Sequence, residues 1–180
     1  MTASRKKAIL RKLGPGAASG ALRSSREWMA GYASMDDLEE ENYLRLLDLE
    51  GKLLRIPLDE VKWLCFVRDF NSGESGNPER LIRKQFSARP RQEGVWLRLT
   101  LADGDELEGL AANDKSLFEG NGLLLSPPDV RSNTQRLYLP HSSVLQLTVA
   151  GVILPPAPKV GKPVYPGLFP ELVKGNGSEN

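Results

Sequence analysis

"VKWLCFVRDF", residues 61–70, is the densest apolar run in the chain, and it ends where charge meets core, at Arg68-Asp69-Phe70. A guanidinium at a strand end can grip an anionic ligand with its planar fork. Neighbouring side chains on a strand alternate sides, so Arg68 and Asp69 are not expected to pair with each other. The plainer expectation is a strand leaving the core, with Asp69 capping the turn into "NSG". A second basic group follows at Arg80, Arg83, Lys84, Arg89 and Arg91. If "PERLIRKQF" is helical, Arg80, Arg83 and Lys84 share one face and form a phosphate clamp. A solvated linker face is the competing expectation, because charge runs rarely require a partner.

His141 is the single histidine, and its neighbours Ser142 and Ser143 supply neither an orienting group nor an activated nucleophile. It is expected to sit in a turn. Cys65, inside an apolar strand, reads as inert core. Trp63 and Trp96 read as core or as a seam between domains. A base-stacking platform needs exposed aromatics beside cations, a condition met only by Trp96 with Arg98.

The chemistry these residues leave out is extensive. One cysteine in 180 residues excludes an internal disulfide and any multi-cysteine zinc site. No metal-binding cluster, G-x-S-x-G or phosphate loop occurs, so no catalytic residue, metal or cofactor is expected. A net charge of +1 offers no global attraction to nucleic acid or membrane. Charge is nonetheless uneven: Arg5, Lys6, Lys7, Arg11, Lys12, Arg23 and Arg26 form a basic start, and Asp36, Asp37, Glu39, Glu40 and Glu41 form an acidic stretch after it. That start is not followed by an apolar segment, and no run reaches the ~18 apolar residues of a membrane helix. The default expectation is a cytoplasmic protein without membrane contact.

The elements that must position these residues read as strands. In "VWLRLTLADGDELEGLA", Val95, Leu97, Leu99 and Leu101 alternate with Trp96, Arg98 and Thr100. Asp103-Gly104 then supplies the positive φ of a tight hairpin, and "ELEGLA" returns as its partner. "GLLLS" (122–126), "RLYLP" (136–140) and "VLQLTV" (144–149) bring the set to about five, the number that closes a small barrel.

The first half overlays the second. "WMAGYAS" (28–34) matches "ELEGLAA" (106–112), Gly31 against Gly109. "YLRLLD" (43–48) matches "GLLLSP" (122–127), and "RIPLDEVKWLCFV" (55–67) matches "YLPHSSVLQLTVA" (138–150). Matching segments in one order argue for duplication, with five extra residues in the second copy around "DVRSNTQ". Pro57 and Pro140, lacking an N–H, are expected at strand ends or corners.

"VWLRLTLADGDELEGLAAND", "LLLS" and "YLPHSSVLQL" together resemble the Sm-like (LSm) fold, a bent five-strand SH3-like barrel. More closely, "CFVRDF", "SARP", "DGDELEG" and "SPPDVRSNTQRLYLP" look like a bacterial domain of unknown function built from two such halves, over roughly residues 6–150. That family has no established activity to lend. RNA-binding Sm proteins place Arg-Gly before the last strand. Here those positions hold Pro140-His141 and Pro57-Leu58, which supply no guanidinium. Asn121 is the nearest match to their Met-Asn pair and falls out of register. Cyclic-dinucleotide receptors of the PilZ type also join an Arg motif to a small barrel. Their arginines are separated by three residues and precede Asp/Asn-x-Ser-x-x-Gly, whereas Arg80 and Arg83 are separated by two and follow "NSGESG".

The resulting expectation is an all-β protein of two tandem Sm-like barrels, residues 6–68 and 95–152. A linker with a short helix (69–94) joins them, and a Pro-rich extended tail follows (153–180). In that tail, Tyr165, Leu168 and Phe169 could dock or strap over an apolar groove. The expected function is non-enzymatic binding or scaffolding through barrel edges, with a protein partner or self-association. The alternative is weak RNA, DNA or cyclic-dinucleotide binding by the basic arm and the linker arginines, with Arg68, Asp69 and Phe70 at the interdomain junction.

Overall fold

Apolar alternation punctuated by Gly, Pro and Asn produces ten strands in the computed structural model, which describes residues 4–14, 27–38, 42–71, 73–129 and 131–155. They are β1 (Lys6–Lys12), β2 (Trp28–Ala33), β3 (Tyr43–Asp48), β4 (Leu53–Pro57), β5 (Val61–Val67), β6 (Gly94–Leu101), β7 (Glu106–Ala111), β8 (Gly122–Ser126), β9 (Thr134–Pro140) and β10 (Val144–Ile153). All are joined antiparallel in one open sheet, in the order β10-β6-β7-β8-β9-β5-β1-β2-β3-β4. The fold is therefore all-β, as its alternation predicts. The two halves are not separate sheets: β5 and β9 pair, with Leu64 opposite Tyr138 and Cys65 opposite Leu137, and join the halves into one continuous sheet.

Within that sheet one strand order occurs twice. The order β5-β1-β2-β3-β4 recurs as β10-β6-β7-β8-β9. Gly31 pairs with Ala8 as Gly109 pairs with Leu97, and Tyr43 opposes Pro57 as Gly122 opposes Pro140. Both prolines end a strand with nearly the same backbone (φ −57°, ψ 135° and φ −56°, ψ 143°), followed by a 3-10 turn into β5 or β10. The offset between copies is 79 at Tyr43/Gly122 and 83 at Pro57/Pro140, so the extra residues lie mainly in the β8–β9 loop. The Asp103-Gly104 hairpin forms as expected, with Gly104 at φ 84°.

Two apolar cores interlock at the seam. Ala8, Leu10, Leu44, Leu46, Leu64 and Phe66 fill the first half, which Tyr138 enters from β9. Leu97, Leu99, Leu125, Leu137 and Leu139 fill the second, joined by Ile9, Trp63, Cys65 and Val67 from the first. Alternate residues of β5 thus serve opposite cores, and every residue of that strand is buried. An unbroken apolar run is what a strand covered on both faces requires. Fully burying side chains of this size stabilises by about 1.5–3 kcal/mol each.

The expected linker helix is absent: the described residues contain 3-10 turns and no α-helix. Asn77 to Arg80 instead form a turn closed by the Arg80 N–H on the Asn77 carbonyl (2.9 Å), with Arg80 at φ 51°. The reason is tertiary. Glu79 is drawn into a bidentate pair with Arg11 (2.8 and 2.7 Å), and Leu81 into the core, which helical geometry would not allow together. Residues 156–180, with Tyr165, Leu168 and Phe169, and the arm cations Arg23 and Arg26 lie outside the described residues.

Candidate functional site

The cations expected to grip an anion differ in their surroundings. Arg80, Arg83 and Arg91 are exposed on the linker. Lys84 Nζ donates to Asp105 Oδ2 at 3.0 Å, and its carbonyl accepts from the Glu108 N–H at 2.7 Å. Arg89 Nη2 donates to the Val152 carbonyl at 3.4 Å, at the far end of β10. The helix on which Arg80, Arg83 and Lys84 were to share a face does not form.

Arg68, Asp69 and Phe70 sit where the β8–β9 loop meets the start of the linker. The backbone N–H groups of Arg68 and Asp69 donate to the carbonyl and Oδ1 of Asn133, both at 3.0 Å. Asn133 Nδ2 donates in turn to the Asp69 and Pro78 carbonyls. Asp69 Oδ1 accepts from the Asn71 N–H (3.2 Å), and Phe70 packs edge-on against Tyr32 at 5.4 Å. Arg68 lines a hollow of about 250 Å³ with Arg136, whose Nη1 donates to Ser126 Oγ at 2.7 Å.

Burial gathers a set of charges that the spacing of the sequence did not disclose. Lys62, almost fully buried, pairs with Asp103 and with Asp105 (2.5 Å), and its ammonium lies 4.5 Å from the Trp63 ring. Burial alone would raise the carboxyl pKa of Asp105, but the hydrogen bonds and charges of Lys62 and Lys84 outweigh it and hold that pKa below its ordinary value. Glu108 accepts from the Phe86 N–H, Trp96 Nε1 and Arg98 Nε at 2.9, 3.2 and 2.8 Å. Burial, reinforced by Glu79, pushes the Cys65 thiol well above its usual range, which leaves it a poor nucleophile. Burial also pushes the Tyr138 phenol up to about 12. Lys62, Lys84, Asp105 and Glu108 are invested in holding the halves and the linker together.

His141 is exposed in the 3-10 turn before β10, as a turn histidine should be. Asn121, which falls out of register in the sequence, lies directly beside it: the His141 N–H donates to the Asn121 carbonyl at 3.0 Å, as Leu58 does to Asn42 in the first half. Between these corners is a cleft of about 620 Å³ whose lining includes Tyr43, Asp59, Glu60 and His141 but neither Lys nor Arg. That lining is poorly suited to phosphate. Among the described residues no group of three His, Cys, Asp or Glu is arranged to hold a metal ion, and no helix is long and apolar enough to cross a membrane.

The sequence reading missed the remaining feature. β10 ends the sheet and pairs only with β6, leaving its other side open among the described residues. Leu145, Leu147 and Val149 are exposed along it at 73%, 43% and 53%. With Leu97, Phe118 and Leu123 they line an apolar groove of about 410 Å³. The corresponding surface of the first half is closed by Tyr138 and Leu124, brought by β9 and β8. The signal was present in "VLQLTVAGVI": ten residues without a charge or a proline, unusual for an edge strand.

The chain belongs to a family of unknown function (DUF6982), whose sequence profile matches residues 4–151. No curated protein and no solved structure matches it.

Proposed function

We propose that this protein is a non-enzymatic binding and scaffolding module of the cytoplasm, built from two Sm-like halves, that takes a protein strand along β10. One observation carries the reading: the open β10 edge lies beside an apolar groove whose counterpart in the first half is already filled. A strand added there would gain main-chain hydrogen bonds from the edge and side-chain specificity from the groove. The recurring strand order β5-β1-β2-β3-β4 supports the Sm-like description of each half.

Nucleic-acid binding is less well supported, because Lys84, Arg89 and Arg11 are engaged within the protein. Binding that rests on scattered exposed cations is electrostatic and falls steeply as salt rises from roughly 50 to roughly 200 mM. The test is a photo-crosslinking residue placed in the full-length chain, in its own cells, at Leu147 or at Arg83. Protein should be captured at Leu147, with little captured at Arg83. RNA or DNA trapped at Arg83, with nothing at Leu147, would reverse the reading.

A further inference from the structure

We infer that the partner of the β10 edge is β10 of a second copy of this chain, paired antiparallel about a two-fold axis at Leu147. This rests on reading β10 as the binding edge and adds the identity and register of the partner. The two ends of the sheet are built differently. β4, at the other end, is five residues long, ends in Pro57, and carries Arg55 stacked 4.9 Å over the Tyr43 ring. Short length, proline and charge are the devices that blunt an edge. β10 is ten residues long and has none of them within the strand.

Repeating the internal seam between copies would bring β4 of one chain to β10 of another. The register shows why that match is poor. Tyr138, opposite Leu124 in β8–β9, closes the first-half groove. The equivalent pair in β3–β4 is Arg55 opposite Arg45. A guanidinium would be driven against Leu147 and Val149, and burying a charge in an apolar groove is unfavourable. The matching edge must be uncharged, apolar and extended. β10 meets that description itself.

Self-pairing also satisfies the alternation. In an antiparallel pair, directly opposed residues point to the same face. With Leu147 opposite its own copy, Leu145 of one chain falls opposite Val149 of the other, and Gln146 opposite Thr148. The exposed apolar side chains then meet on the groove face, and polar ones on the other. Irregular pairing with β6 at Leu145 and Ala150, and Arg89 on the Val152 carbonyl, confine the contact to the middle of the strand. A two-fold contact of this kind closes on itself as a dimer.

The experiment uses the full-length chain, so that residues 156–180 compete for the edge if they cover it. Light scattering across concentration should give a dimer, and Leu147→Lys should weaken dimerisation at least tenfold while leaving the circular dichroism spectrum unchanged. Because Leu147→Lys could act indirectly, Leu147→Cys provides an independent readout: mild oxidation should yield a covalent dimer through the new thiol. A monomer at every concentration overturns the proposal. So does a cross-link that forms only when Leu147→Cys and Arg55→Cys chains are mixed, which would mean head-to-tail pairing. A monomer whose protein capture at residue 147 persists would sink the dimer and leave the binding-edge reading standing. A dimer indifferent to Leu147→Lys, with no capture at residue 147, would sink both.

Discussion

Lys62 occupies the bulge between Val61 and Trp63 in the β5–β1 pairing, and its position there commits two carboxylates to the seam. Removing one member of such a set leaves the other charged and buried, which is more damaging than never having built the pair. Lys62→Met is therefore expected to lose about 3–5 kcal/mol of stability at neutral pH, measured by urea unfolding. Asp105 adds a pH signature. Its folded pKa lies below its unfolded value, so its contribution is present above the unfolded pKa and is lost as pH falls through the folded one. Acid unfolding curves of Lys62→Met should show a smaller loss of stability across that window than the wild type. An unchanged acid dependence would mean that Asp105 draws its stabilisation from Lys84 alone.

Among the elements, β2 and β7 hold corresponding places in the recurring strand order and keep the same constraint for different local reasons. A Cβ on Gly31 would stand 2.5 Å from the Leu47 carbonyl oxygen, a backbone atom that cannot step aside. A Cβ on Gly109 would meet Leu125 Cδ1 at 2.8 Å and Cβ at 2.9 Å; the first can turn aside, and neither is a backbone carbonyl. Overpacking of this kind costs about 1–3 kcal/mol, so Gly31→Ala should fall at the upper end and Gly109→Ala at the lower. Paired chemical-denaturation curves check the order, and equal losses would show that the two positions are packed alike. The Gly31/Gly109 match was visible in the sequence, because both sit in strands whose alternation is local. The linker helix, expected from local spacing, does not form for the converse reason. Its local helical spacing is overridden because Glu79 and Leu81 are claimed by Arg11 and the core.

For the whole molecule, the interlocked cores predict one cooperative unit rather than two independent domains. Trp63 sits at the seam, its Nε1 3.3 Å from Glu79 Oε1, whereas Trp96 belongs to the second half. Tryptophan fluorescence and far-ultraviolet circular dichroism should report coincident unfolding transitions. Two separated transitions would contradict the shared core. The sequence by itself determined the all-β class, most strand positions and the corner prolines, because alternation and turn chemistry act over a few residues. The tertiary structure alone decided which charges are committed and which edge remains open. Lys62 meets Asp103 across 41 residues and Arg11 meets Glu79 across 68, separations that no local pattern encodes. Arg68-Asp69-Phe70 follows the strand that lies between the two cores, and β10, which pairs with β6 alone among the described residues, keeps its apolar side open there.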